Sequence, residues 1–234
     1  GIVSCDSDEK ARKPKKQVTS NEIAVDMQKN LDKYVSFKLT SDLSVLTENE
    51  RQMLPILIEA SKEMNKMFWY EAYGDKNSLL ERVEDEATKK FISINYGPWD
   101  RLANNKPFVP GAEAKPAGAN FYPADMSKEE FEQFEDAQKS SLYTFVRRDD
   151  EGKLITVPYH VQFEATVKKV SDLLLKAAEL AEDEGLKTYL ELRAQAFLDD
   201  IYQPSDLAWM DMKTNTIDVV IGPIENYEVH LFGN

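Results

Sequence analysis

Cysteine, histidine and basic charge are all scarce in this chain. One cysteine excludes an internal disulfide framework. The two histidines, His160 and His230, lie far apart and neither belongs to an HExxH helix, so they display no zinc site, which needs three or four ligands at close spacing. Each reads as a structural or surface residue. Lysine and arginine number 29 against 42 acidic residues, a formal net charge of −13. That balance argues against nucleic acid as a partner, because phosphate binding needs clustered cations. No apolar run approaches the roughly 18 residues of a membrane span. No glycine-rich phosphate loop follows a strand pattern, and no GxSxG nucleophile elbow occurs.

What is present is an ordinary globular mix, 42% hydrophobic and 30% charged over 234 residues, enough to bury a sizeable core. The one basic cluster, Lys10, Arg12, Lys13, Lys15 and Lys16, falls in a Pro-containing polar tail, so the remaining body is more acidic still. Residues 1–20 read as a solvated tether, poor in large apolar side chains. At its head, "IVSCDSDEK" sets Cys5 after apolar and small residues, the pattern of a bacterial lipoprotein cleavage site. Cys5 is thus the expected lipidation site, and a lipid anchor the only expected membrane contact. The expected location is the bacterial cell envelope.

From Ser20 onward helical spacing dominates. Ile23, Met27, Leu31 and Tyr34 form an amphipathic stripe. "TENE" supplies a capping box, Thr47 with Glu50, and the helix it opens carries Pro55 and stops at Gly74. Its Met64, Met67, Phe68, Trp69, Tyr70 and Tyr73 could line a ligand, but the same spacing describes a core face, which is preferred. A further helix is expected from Ser78 to about Ser93, ended by Gly97-Pro98. Residues 97–126 form a long loop whose Trp99, Phe108, Phe121 and Tyr122 favour packing. Ser127 with Glu130 makes a second cap, with a staple from Met126 to Phe131. "SLYTFVRRDDEGKLITVPY" reads as a β-hairpin. Helices about 160–183 and 186–201 follow, with Gly185 as the stop between them, and a last strand at Ile217–Ile221. The fold class is α+β: a mostly helical lobe with a small β-sheet.

The closing stretch "VVIGPIENYEVHLFGN" concentrates polar and aromatic residues after a Gly-Pro break. Asp218, Glu225 and Glu228 are expected to form an acidic wall suited to a cationic group, with Tyr227 beside them. A solvated sheet-edge rim would give the same pattern.

Several long segments share an order with one family. "LTENERQMLPILIEASKEMNKMFWYEAYGDK", "INYGPWDRL", "GANFYPADMSKEEFE", "LELRAQAFLDDIYQPSDLAWMDM" and "IDVVIGPIENYEVHLFG" together resemble the front half of the dipeptidyl-peptidase III family of zinc metallopeptidases. The likeness is to its bacterial branch, related to the hydrolase portion of certain plant Nudix proteins, and runs from about Leu39 to Gly233. The resemblance implies two lobes around a wide cleft, zinc held by an HExxGH helix and a later glutamate, and removal of dipeptides from peptide N-termini. Those ligands lie downstream of the counterpart of "IGPIENYE". The expectation is therefore that residues 21–234 are the N-terminal lobe. Zinc belongs to the complete family enzyme, and this chain alone is expected to be metal-free and inactive. The implied partners are a peptide substrate and a missing C-terminal catalytic lobe. A family Glu-x-Tyr that holds the substrate ammonium falls on Asp218 and Val220, where the phenol is lost; Glu225 and Tyr227 fit the family pattern better. The rival reading is a stand-alone helical binding or interaction lipoprotein.

Overall fold

The computed structural model describes residues 20–224 and 227–229, with side chains from Asp26 onward. Helix makes up 52% of it, beside two small antiparallel two-stranded sheets, so the α+β expectation holds. Helix α1 (Ser20–Leu31) lays Met27 and Leu31 against Phe91 of α4 (Glu86–Asn95), with Tyr34 packed at the edge. Ile23 of the expected stripe lies outside the described side chains.

Helix α2 (Glu48–Ala72) is the spine of the molecule. Its capping box forms in full: Thr47 Oγ1 accepts from Glu50 N at 3.2 Å, and Glu50 Oε2 accepts from Thr47 N at 2.8 Å. Pro55 sits within the second turn, and Gly74 ends the helix at φ +111, donating back to Trp69 O. α2 packs on α7 (Glu164–Leu180), α7 on α8 (Glu184–Asp199), and α8 on α9 (Gln203–Asp211).

The expected hairpin is β3 (Thr144–Arg148) and β4 (Leu154–Pro158), with Phe145 opposite Val157. Asp149 Oδ1 accepts from the backbone N–H of Glu151 and Lys153, and Gly152 takes φ +80 in the turn. Phe145 is fully buried at the centre of the core, 4.8 Å from the ring of Tyr159 and 5.4–5.6 Å from Tyr70, Phe121 and Phe163. Short α6 (Tyr159–Gln162) carries the chain from β4 into α7. Ahead of the hairpin, α5 (Lys128–Gln133) starts at Ser127, whose Oγ accepts from Glu130 N. Met126 and Phe131 cluster with Val146, as the staple pattern expects.

Three expectations about elements need correction, and one helix was not foreseen. The helix expected over Ser78–Ser93 is two, α3 (Lys76–Glu81) and α4, because Asp85 caps a new start by accepting from Thr88 N at 2.7 Å. Gly185 is no stop: Asp183 caps α8 through Leu186 N, and Gly185 lies inside its first turn. Helix α9 was not anticipated, although Pro204 in its first turn is a favoured start. Ile217–Ile221 belongs to neither sheet. Its alternation describes a half-buried extended segment, and here the cover is helical side chains rather than a neighbouring strand.

The loop 97–126 packs as expected. β1 (Trp99–Asp100) pairs with β2 (Lys106–Pro107), Phe108 meets Phe91 at 4.6 Å, and Phe121 stacks on Phe145.

Candidate functional site

The segment after α9 lies along the helical body, held by a series of unlike contacts. Ile217 and Ile221 are buried, whereas Asp218 and Val220 face solvent, so the side chains alternate in and out without a strand. The indole N–H of Trp209, on α9, donates to Asp218 Oδ1 at 2.9 Å. Ile221 N donates to the hydroxyl of Tyr189 on α8 at 3.3 Å. Burial pushes the Tyr189 phenol up from its ordinary value, so it remains neutral and able to accept.

Beneath the next residue lies Arg193, a buried guanidinium between the rings of Tyr189 and Tyr202, at 5.3 and 5.1 Å, and ion-paired with Asp206. A Cβ at position 222 would stand 3.3 Å from Arg193 Nη1, so glycine lets the backbone cross the cation closely. Pro223 and Ile224 then meet α2. Gly222, Pro223, Ile224, Met64, Met67, Phe68 and the buried Glu71 line a cavity of about 290 Å³.

Sequence reasoning read Met64, Met67 and Phe68 as core. Met67 is buried, but Met64 and Phe68 are only partly so and face this cavity. Periodicity along one helix could not separate these roles.

Of the expected acidic wall, Asp218 is exposed, with one carboxylate oxygen taken by the Trp209 indole. Glu225 lies outside the described residues, as do His230 and Cys5. Tyr227 is exposed, at 72%, with a left-handed φ of 52. Glu228 is not part of an open wall, which corrects the expectation. It is buried, with Oε1 accepting from Arg101 Nη1 at 2.6 Å and Oε2 from Lys115 Nζ. Burial pushes its carboxyl up, but the bonds from Arg101 and Lys115 together outweigh that and hold it below the ordinary glutamate value. Arg101 is itself aimed by Asn95, through Nε to the backbone oxygen at 2.7 Å, and lies over the Phe68 ring at 5.7 Å. Arg101, Lys115, Trp209 and Arg193 were not singled out from the sequence. "INYGPWDRL" and "LELRAQAFLDDIYQPSDLAWMDM" contain three of them, so only the family likeness pointed that way.

His160 fits its structural reading: Nδ1 lies 2.7 Å from Asp200 Oδ2, and the backbone N–H of His160 reaches the same oxygen. No group of three or more His, Cys, Asp or Glu side chains able to hold a metal occurs among the described residues. The zinc implied by the family resemblance thus has no fitting ligand set there. These residues present an exposed carboxylate at Asp218 and an exposed phenol at Tyr227, and neither lines the cavity under Gly222–Ile224.

No protein-family model matches the chain. Its fold is similar to dipeptidyl-peptidase III from Caldithrix abyssi, with TM-score 0.83 and 39% identity, covering 88% of this chain and 41% of that one. It is also similar to dipeptidyl-peptidase III from Corallococcus sp. strain EGB, with TM-score 0.74 and 33% identity, covering 81% of this chain and 38% of that one. In sequence it is 28% identical to Nudix hydrolase 3 of Arabidopsis thaliana, over 93% of this chain and 36% of that protein. That name denotes a different hydrolase class, and with so little of the protein covered it says nothing of this chain's chemistry. In sequence and in fold, then, the chain resembles dipeptidyl-peptidase III proteins over about two fifths of their length, an extent consistent with an N-terminal lobe.

Proposed function

We propose that this chain is the N-terminal, substrate-cleft lobe of a two-lobed peptidase of the dipeptidyl-peptidase III type, whose zinc and hydrolytic groups belong to a C-terminal lobe. The observation that carries the reading is the anchored segment beside α9. It is held by Tyr189 at its backbone, by Trp209 at the Asp218 carboxylate and by the Arg193 crossing, while Leu207 and Met210 of α9 and Val220 and Tyr227 of the segment stay exposed. Large apolar side chains grouped along one structural feature mark a surface for a partner or ligand. Val35, Phe37 and Leu39 near the start are equally bare, which supports a further covering body.

In this reading Asp218 and Glu225 attract the ammonium end of a peptide, and Tyr227 accepts or donates a hydrogen bond at the same end. Zinc, when bound in the complete protein, would supply the Lewis acid and the hydroxide. This lobe binds and orients. The protein would be held at the cell envelope through Cys5.

The test is kcat/KM on short peptides, beside a thermal melt, for Asp218→Asn, Glu225→Gln and Tyr227→Phe in the complete two-lobed protein. Each is expected to lower kcat/KM while shifting the melt little. A charge pair desolvated by substrate is worth about 2–5 kcal/mol on truncation, against less than about 1 kcal/mol for an exposed one. If all three retain full activity, or lose it only by melting, the segment is structural and the cleft reading fails.

A further inference from the structure

A second cavity, of about 430 Å³, opens between the end of α2, β1, the loop 111–124 and β3. Its volume lies in the range of small-molecule sites. Its charge runs against the rest of the molecule. In a chain with a net charge of −13, two arginines, Arg82 and Arg147, line it. Among the described residues neither has a carboxylate within 4.0 Å.

The contrast with the next residue is direct. Arg148 is neutralised by Asp125 at 3.1 Å and by Glu130 at 2.7 Å. Arg147, half-buried, is held by neutral acceptors alone: Val146 O at 2.9 Å, Asn120 O at 2.8 Å and Tyr70 Oη at 3.2 Å. Its guanidinium also lies 4.6 Å from the Phe145 ring centre and 5.6 Å from that of Tyr70. Those acceptors are fixed in turn. Asn120 donates to Tyr70 O and Glu71 O, and Val146 N donates to Phe121 O. The fork is therefore preorganised, with three of its five N–H groups engaged and its charge uncompensated. Holding such a cation half out of water with no counter-ion is costly, and the cost is offset when an anion binds.

The walls define the rest of the ligand. Trp99 donates its indole N–H to Glu113 O at 2.8 Å, which spends its polar atom, so that what this largely buried side chain offers the cavity is apolar. Tyr73 packs on Trp99 at 5.7 Å. Burial pushes the Tyr122 phenol up, so it stays neutral. The Glu113 carboxylate is exposed at the rim and sets a repulsive edge that disfavours highly charged anions.

From this we infer that the cavity is a binding site for a small organic carboxylate with an aromatic or apolar body, its carboxylate taken by Arg147 and Arg82 and its body lying against Trp99, Tyr73 and Tyr122. The inference is independent of the peptidase reading.

Titration calorimetry on the 234-residue chain tests it with N-acetylphenylalanine, N-acetylphenylalaninamide, 3-phenylpropionate and inorganic phosphate. The acid is expected to bind at least about tenfold more tightly than the amide, the difference one charge-assisted bond makes. Arg82→Gln, an exposed change, should weaken the acid about tenfold with an unaltered melt. Arg147→Lys should weaken it similarly, because an ammonium cannot reproduce the fork. The Trp99 indole proton resonance should shift on saturation. A preference for N-acetylphenylalanine over 3-phenylpropionate would assign the site to peptide C-termini; equal binding would assign it to free small acids. Either supports the inference. Amide binding as tight as acid, phosphate binding as tight as either acid, affinity unmoved by Arg82→Gln, or no binding up to about 10 mM would overturn it.

Discussion

Glu228 and Arg101 stand 127 residues apart in the chain and 2.6 Å apart in space, and Lys115 closes the other side of the same buried carboxylate. This triad ties the end of the chain to the long loop 97–126. Tyr227 is held one residue from it, so the exposed phenol inherits its position from a buried charge cluster.

Removing the carboxylate strands two cations, one of them, Lys115, nearly buried. Glu228→Gln should therefore cost about 3–5 kcal/mol in stability, read as a lowered melt. The pH dependence has a definite sign. The folded carboxyl titrates below its ordinary value of 4.5, so its contribution is complete above that value and fades as pH falls through the lowered folded value. The gap between wild type and Glu228→Gln should be widest near neutrality and close in acid. A gap that widens on acidification would contradict the assignment.

The Thr47–Glu50 cap was legible because both partners lie within one helical turn, and local spacing fixes their geometry. The hairpin was legible for the same reason, with its turn residues and alternation adjacent in the chain. Gly185 misled because a glycine after acidic residues reads as a stop, while the Asp183 cap that overrides it is as common a signal. Ile217–Ile221 misled more instructively: alternation reports which side chains are buried, not whether the backbone is paired. Asp218 was singled out from the sequence and its exposure agrees with the alternation, whereas Arg101, Lys115 and Arg193 were not singled out, since nothing local says which distant carboxylate or backbone they serve.

Thr47→Ala removes one half of the reciprocal cap and should destabilise by about 1 kcal/mol. Thr47→Ser should be nearly neutral, since the hydroxyl is kept. Because the two bonds act together, Thr47→Ala with Glu50→Ala should cost less than the sum of the single changes. Denaturant midpoints for the four proteins measure this, and strict additivity would argue against cooperation.

If Cys5 accepts lipid, the chain expressed in bacteria behind the charged and apolar regions of a lipoprotein signal should partition into detergent. Cys5→Ala should release it to the aqueous phase. Two acyl signals give stable anchoring where one is marginal, so the contrast should be large. Equal partitioning of both forms would reject the lipidation site.

The last prediction concerns zinc. His160 is engaged with Asp200, and among the described residues no third ligand-type side chain joins that pair to form a metal-holding group. Two ligands from one site leave a tetrahedral ion mostly hydrated, and each further protein ligand adds to an affinity that structural sites reach only with all four. Calorimetric titration of the 234-residue chain with zinc at neutral pH should therefore show binding weaker than about 1 µM, or −8.2 kcal/mol. Hydrolysis of short peptides by this chain should stay at the uncatalysed level whether or not zinc is added. His160→Gln separates the pair from any stronger site. It should abolish whatever weak zinc binding is seen, while costing little stability at a half-exposed position. A stoichiometric site tighter than that bound, unaffected by His160→Gln, would show that the chain carries a metal centre of its own and would overturn its assignment as a purely binding lobe.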